Sequence, residues 1–142
     1  MNEAPAQRRG LLPAPLNRLP RPVTEPRRPV AAIGTAWLLT FPISIVLAML
    51  LAALLPDAAQ PEFPFHGLDL FWRLVLFAPA LETLIMGVLL LVLLRFLRPT
   101  ASVLLTALCA GLAHSYAPNG VAIWGLVIWW PFLIFSTLFV VW

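Results

Sequence analysis

The sequence predicts an all-α fold, a polytopic membrane helix bundle of about four transmembrane helices plus an interfacial helix. Two properties carry that expectation. Of 142 residues, 61% are hydrophobic and only 11% charged, with a mean hydropathy of +0.93. A soluble domain of this size has no use for so much apolar surface. The charges are also segregated: six of the nine arginines fall in the first 29 residues, and the chain contains no lysine. Two domains follow, a tail over residues 1–29 and a transmembrane region over residues 30–142.

The tail holds Arg8, Arg9, Arg18, Arg21, Arg27 and Arg28 among seven prolines. With so few apolar residues it is expected to be disordered or partly polyproline II. Arg8-Arg9 resembles a twin-arginine export signal, but prolines follow where an apolar core should begin. A proline-motif ligand is a second alternative. The preferred reading is a cytoplasmic anchor obeying the positive-inside rule. No nucleic-acid partner is expected.

The first span covers residues 30–55, longer than the apolar core of a secretory signal and sufficient to cross with tilt. Pro42 should kink it. The loop after it carries Asp57, Glu62 and Asp69 without arginine, which places it on the far side. His66 in this loop reads as a solvated side chain.

Residues 68–77 allow two parses. They could open a second span of nearly thirty residues, or lie in the interface with Trp72 and Arg73 at headgroup level. The second is preferred, because Pro79 then begins a fresh helix where its missing N–H costs nothing. That span covers 78–97, ending near Arg95 and Arg98. A third span covers 101–117, Pro118-Asn119-Gly120 makes a turn, and a fourth covers 121–142. The helix stops at Trp142 without a polar flank, which is expected of the front part of a longer protein. Cys109, the single cysteine, reads as a small buried thiol.

Glu82 stands in an apolar run, where a charged group costs about 3 kcal/mol or more and by default marks a functional site. It lies one turn from Pro79; His114 lies one turn before Pro118. On antiparallel neighbours both are then some ~5 Å below one face. Such a pair suits general-base activation of water. It equally suits a plain interhelical hydrogen bond that relieves the burial of both groups. The spacing lacks a zinc signature, so no metal or other cofactor is expected.

The run Ala78-Pro79-Ala80-Leu81-Glu82-Thr83-Leu84-Ile85-Met86-Gly87, followed by Ala110-Gly111-Leu112-Ala113-His114, resembles the CPBP family of intramembrane proteases, the CAAX prenyl protease and bacteriocin-processing type. That family shows Pro-x-x-Glu-Glu-x-x-x-Arg on one helix, Phe-x-x-x-His on the next, and a distal His-x-x-x-Asn or His-x-x-x-Asp. The resemblance covers residues 70 to 142. It implies a glutamic-type peptidase acting on a peptide or protein substrate at a bacterial inner membrane, with Glu82 and His114 catalytic. Here Thr83 replaces the second Glu, Gly87 the Arg and Ala110 the Phe, and the distal motif is absent. Anchoring on the family's Arg-Gly instead of the proline makes Glu82 the second Glu, with Leu81 at the first and Met86 at the Arg. A non-catalytic pseudoprotease or membrane binding protein remains the alternative.

Overall fold

The computed structural model describes residues 16–25, 27–56, 66–116 and 123–142. The acidic loop over 57–65, the turn at 118–120 and the first half of the tail lie outside them. Among the described residues every regular element is helical: a 3₁₀ turn Leu16–Arg18, α1 (Arg21–Thr24), α2 (Pro29–Leu54), α3 (Gly67–Phe71), a π-helical segment Trp72–Phe77, α4 (Ala78–Phe96), α5 (Pro99–Tyr116) and α6 (Trp124–Val141). The chain is an all-α bundle, as its composition predicts.

Among the described residues, three helical stretches are long and apolar enough to cross a membrane: Pro29–Leu54, Gly67–Phe96 and Trp124–Val141. The expected third span, α5, is outside this set. Its sequence contains Ser102, Thr106, Gly111 and His114, and these small and polar residues are explained by where it sits.

α5 and α6 share the most extensive contact in the bundle, α6 also packs along α2, and α4 leans on α5. α5 buries Ser102, Val103, Thr106, Ala107, Ala110 and Gly111, a stripe that follows the helical repeat. Its opposite face exposes Leu104, Leu105, Leu108 and Leu112. Small residues inside and leucines outside invert the soluble pattern and suit a lipid surrounding, where close backbone approach rather than hydrophobic exclusion holds helices together. The approach is closest at Gly111 and Gly125. A Cβ on Gly125 would lie 2.5 Å from the Gly111 carbonyl oxygen and would also collide with the Ser115 hydroxyl.

The proline in α2 is met by a specific partner. Pro42 supplies no N–H to the carbonyl four residues back. Beside that gap the Trp130 indole donates a 2.7 Å hydrogen bond to the Leu39 carbonyl, tying α6 to α2. Thr40 bonds back to the Ala36 carbonyl at 2.9 Å.

Two expectations are corrected. Residues 16–24 are not a disordered tail: Leu16 and Val23 are buried, and Leu16 joins the core cluster with Leu90, Val103, Ala107, Leu133 and Val141, with Leu19 against it. Apolar residues at 16, 19 and 23 recur at helical spacing, enough to dock this short segment despite the surrounding prolines and arginines. Nor does a fresh helix begin at Pro79. Gly67, at φ +58°, opens a helix that continues to Phe96. Through Trp72–Phe77 the hydrogen bonds skip to the fifth residue, as when the Ala78 N–H donates to the Arg73 carbonyl. This wider turn accommodates Pro79 without ending the helix.

Candidate functional site

The unbroken helix changes the setting of Glu82. It lies near the middle of Gly67–Phe96 rather than one turn inside an end. The stretch N-terminal to it, including Phe71, Trp72, Leu74, Val75 and Phe77, stands exposed and extends roughly 20 Å beyond the carboxylate. His114 remains in the last turn of α5.

The structure nevertheless brings the two together. Phe96 ends α4, Leu97 and Arg98 turn the chain, and Pro99 opens α5, where proline is preorganised for the first turn. Ser102 closes that turn by donating its backbone N–H to the Arg98 carbonyl at 3.0 Å. The tight connection makes α4 and α5 antiparallel neighbours, and Glu82 Oε1 lies 3.3 Å from His114 Nε2. The side chains are 38% and 32% exposed, so the pair is half-buried and open on one side.

His114 is held from both ends. Its Nδ1 lies 2.9 Å from the Ala110 carbonyl oxygen one turn back. A carbonyl only accepts, so Nδ1 carries a hydrogen and donates it. Nε2 and Oε1 then share a single proton, as imidazolium with carboxylate or as neutral imidazole with carboxylic acid. The Phe132 ring of α6 lies 5.9 Å from the imidazole, tilted by 44°, and limits its swing. A carboxylate facing a fixed donor can take a proton from water through its other oxygen, and the imidazole can donate to a developing negative charge.

A cleft of about 60 Å³ lies between α4 and α6, lined by Thr83, Met86, Gly87, Phe132, Ser136 and Phe139 among others but by neither Glu82 nor His114. Gly87 keeps one wall low, since even a Cβ there would stand 3.5 Å from the Phe139 ring. Phe132 both lines this cleft and touches the imidazole, a place that its sequence position alone did not signal.

The remaining polar residues stay apart. His66 precedes α3, and its side chain makes no capping bond. Asp69 takes a hydrogen bond from Arg73 Nε at 2.9 Å on the exposed face of the same helix. Cys109 is a free, half-buried thiol. Among the described residues no three of His, Cys, Asp and Glu gather as a metal would require. Thr83, next to Glu82, donates its hydroxyl to the Pro79 carbonyl at 2.6 Å, so it serves its own helix rather than the pair.

No family model, curated protein or solved structure matches the chain. Three helices able to span a membrane and a half-buried carboxylate–imidazole pair define what the functional reading must use.

Proposed function

We propose that the protein is a CPBP-like intramembrane endopeptidase that hydrolyses peptide bonds with water activated by Glu82. The observation that carries this reading is the 3.3 Å contact between Glu82 and an imidazole whose far nitrogen is already committed to the Ala110 carbonyl. In the imidazolium–carboxylate form, Glu82 takes a proton from water as the oxygen attacks the substrate carbonyl. Once Glu82 is protonated it no longer holds His114 Nε2–H as an ion pair, and that N–H turns to the oxyanion; the proton on Glu82 then passes to the leaving amine. The products are a new carboxylic acid, which ionises in water, and a new amine, and the residues are restored. The reading requires no metal or cofactor. It places the enzyme in a bacterial inner membrane with its arginine-rich tail in the cytoplasm.

A second reading is favoured by the same contact. Each group relieves the other's burial, so Glu82 and His114 could serve as an interhelical link in a pseudoprotease or membrane binding protein. One experiment separates them. The purified chain, reconstituted in liposomes, is incubated with a library of apolar peptides, and new termini are identified by mass spectrometry. The peptidase reading expects discrete cleavages that fall by ~10²-fold or more in Glu82→Gln. Cleavage that persists unchanged in that variant rules out Glu82 as the base, and no cleavage by the parent chain across the library favours the binding reading.

A further inference from the structure

The docked tail creates a second polar site, at the opposite end of the chain from the carboxylate–imidazole pair and independent of any peptidase activity. α1 packs against α2 and α6, with Val23 and Thr24 buried beneath it. Its polar side is therefore held in place against the start of α2. There, Arg21, Arg27 and Arg28 surround a cavity of about 340 Å³ together with Pro22, Glu25 and Ala31. Three guanidinium groups face one carboxylate. Glu25 lies 3.9 Å from Arg27, whose side chain is still 62% exposed. Glu25 itself is 18% exposed, and the three arginines outnumber it among the residues that line the cavity.

Position and shape together select the ligand. The cavity abuts the first residue of α2, a helix long and apolar enough to cross a membrane, so it falls at the level where headgroups begin. Leading away from it along α2, Val30, Ile33 and Trp37 are 82%, 68% and 55% exposed, and their spacing puts them on one face. A free phosphate would use the arginines and leave this track bare. A phospholipid would use both, with its phosphate in the cavity and an acyl chain along the track.

We propose that Arg21, Arg27 and Arg28 form a preformed site for the phosphodiester headgroup of one anionic phospholipid, with its acyl chain laid along Val30, Ile33 and Trp37. Guanidinium forks match phosphate oxygens in two-point contacts. Docking of α1 removes much of the ordering cost that a loose basic tail would incur on binding.

The test uses the full chain in mild detergent, titrated with phosphatidylglycerol or phosphatidylcholine and read by native mass spectrometry. One phosphatidylglycerol should be retained in preference to phosphatidylcholine. Arg28→Gln should weaken it about fivefold and the triple Arg21/Arg27/Arg28→Gln variant about 100-fold, from the typical contribution of an arginine near an anionic headgroup. Glu25→Gln, which removes the opposing carboxylate, should bind more tightly. A thermal melt matching the parent chain certifies each variant as folded. Equal retention of the two lipids, or undiminished phosphatidylglycerol in the folded triple variant, overturns the site. Full displacement by millimolar inorganic phosphate overturns the lipid assignment, because it shows the acyl track contributes nothing.

Discussion

The α5–α6 crossing offers the sharpest quantitative prediction, because the site depends on it. Gly125→Ala adds one methyl group, which would land 2.5 Å from the Gly111 carbonyl oxygen and against the Ser115 hydroxyl. That is roughly 1 Å inside ordinary contact. The obstacle at Gly111 is backbone, which cannot rotate away as a side-chain tip would, so α5 and α6 must part or slide. Overpacking of this kind costs about 1–3 kcal/mol. The higher helix propensity of alanine returns at most about 1 kcal/mol, leaving a net loss of up to about 2 kcal/mol even when that return is complete. Two matched controls isolate the clash. Gly34→Ala meets nothing within 4 Å, and Gly87→Ala meets only the Phe139 ring at 3.5 Å, so both should melt at or slightly above the parent temperature. Thermal unfolding in detergent, followed by circular dichroism, should therefore rank Gly125→Ala several degrees below both. If Gly125→Ala melts with or above the controls, the close crossing is not what holds α5 to α6. His114 lies three residues beyond Gly111, so the same variant should also weaken any cleavage activity.

Other perturbations follow the same reasoning. Trp130→Phe keeps the ring but loses the 2.7 Å bond to the Leu39 carbonyl and should cost about 0.6–1.5 kcal/mol in a detergent melt. Asp69→Asn breaks an ion pair with Arg73 whose partners are about half exposed, at 54% and 55%, so its melting point should be indistinguishable from the parent's. Leu16→Ala removes a buried contact between tail and core, and limited proteolysis should then cut between Leu19 and Arg28 markedly faster. Gly87→Leu should overpack the cleft between α4 and α6, where a Cβ already stands 3.5 Å from the Phe139 ring, and lower the melting temperature through a loss of about 1–3 kcal/mol of stability.

The legible parts of this fold were those written in long apolar runs. Such runs announced an all-α bundle, and the short gap between the spans expected at 78–97 and 101–117 made them antiparallel neighbours, although the turn falls before Pro99, which opens α5. That alone brought Glu82 and His114 within reach. The break expected at Pro79 did not occur, because a single π-helical stretch absorbs the proline and nothing in the composition of residues 72–77 announces that geometry. The tail was judged by its prolines and arginines, while the signal that docks it is three apolar residues at 16, 19 and 23. The crossing at Gly111 had a readable cue in Ala107, Gly111 and Ser115, small residues at four-residue spacing on one face. Its partner Gly125 lies on another helix and gives no local sign. The cleft between α4 and α6 has no sequence signature at all, since it depends on how two helices splay.

The account rests on Glu82 acting on water rather than only holding His114. Glu82→Gln measures this most directly, because an amide keeps the hydrogen bond to His114 but cannot take a proton. The variant and the parent chain should be reconstituted in the same liposomes, with melting temperature and peptide cleavage measured on the same samples. The account predicts an unchanged melt and a loss of cleavage by ~10²-fold or more. A melt that collapses, or cleavage that survives, would contradict it and leave the pair as a structural link between α4 and α5.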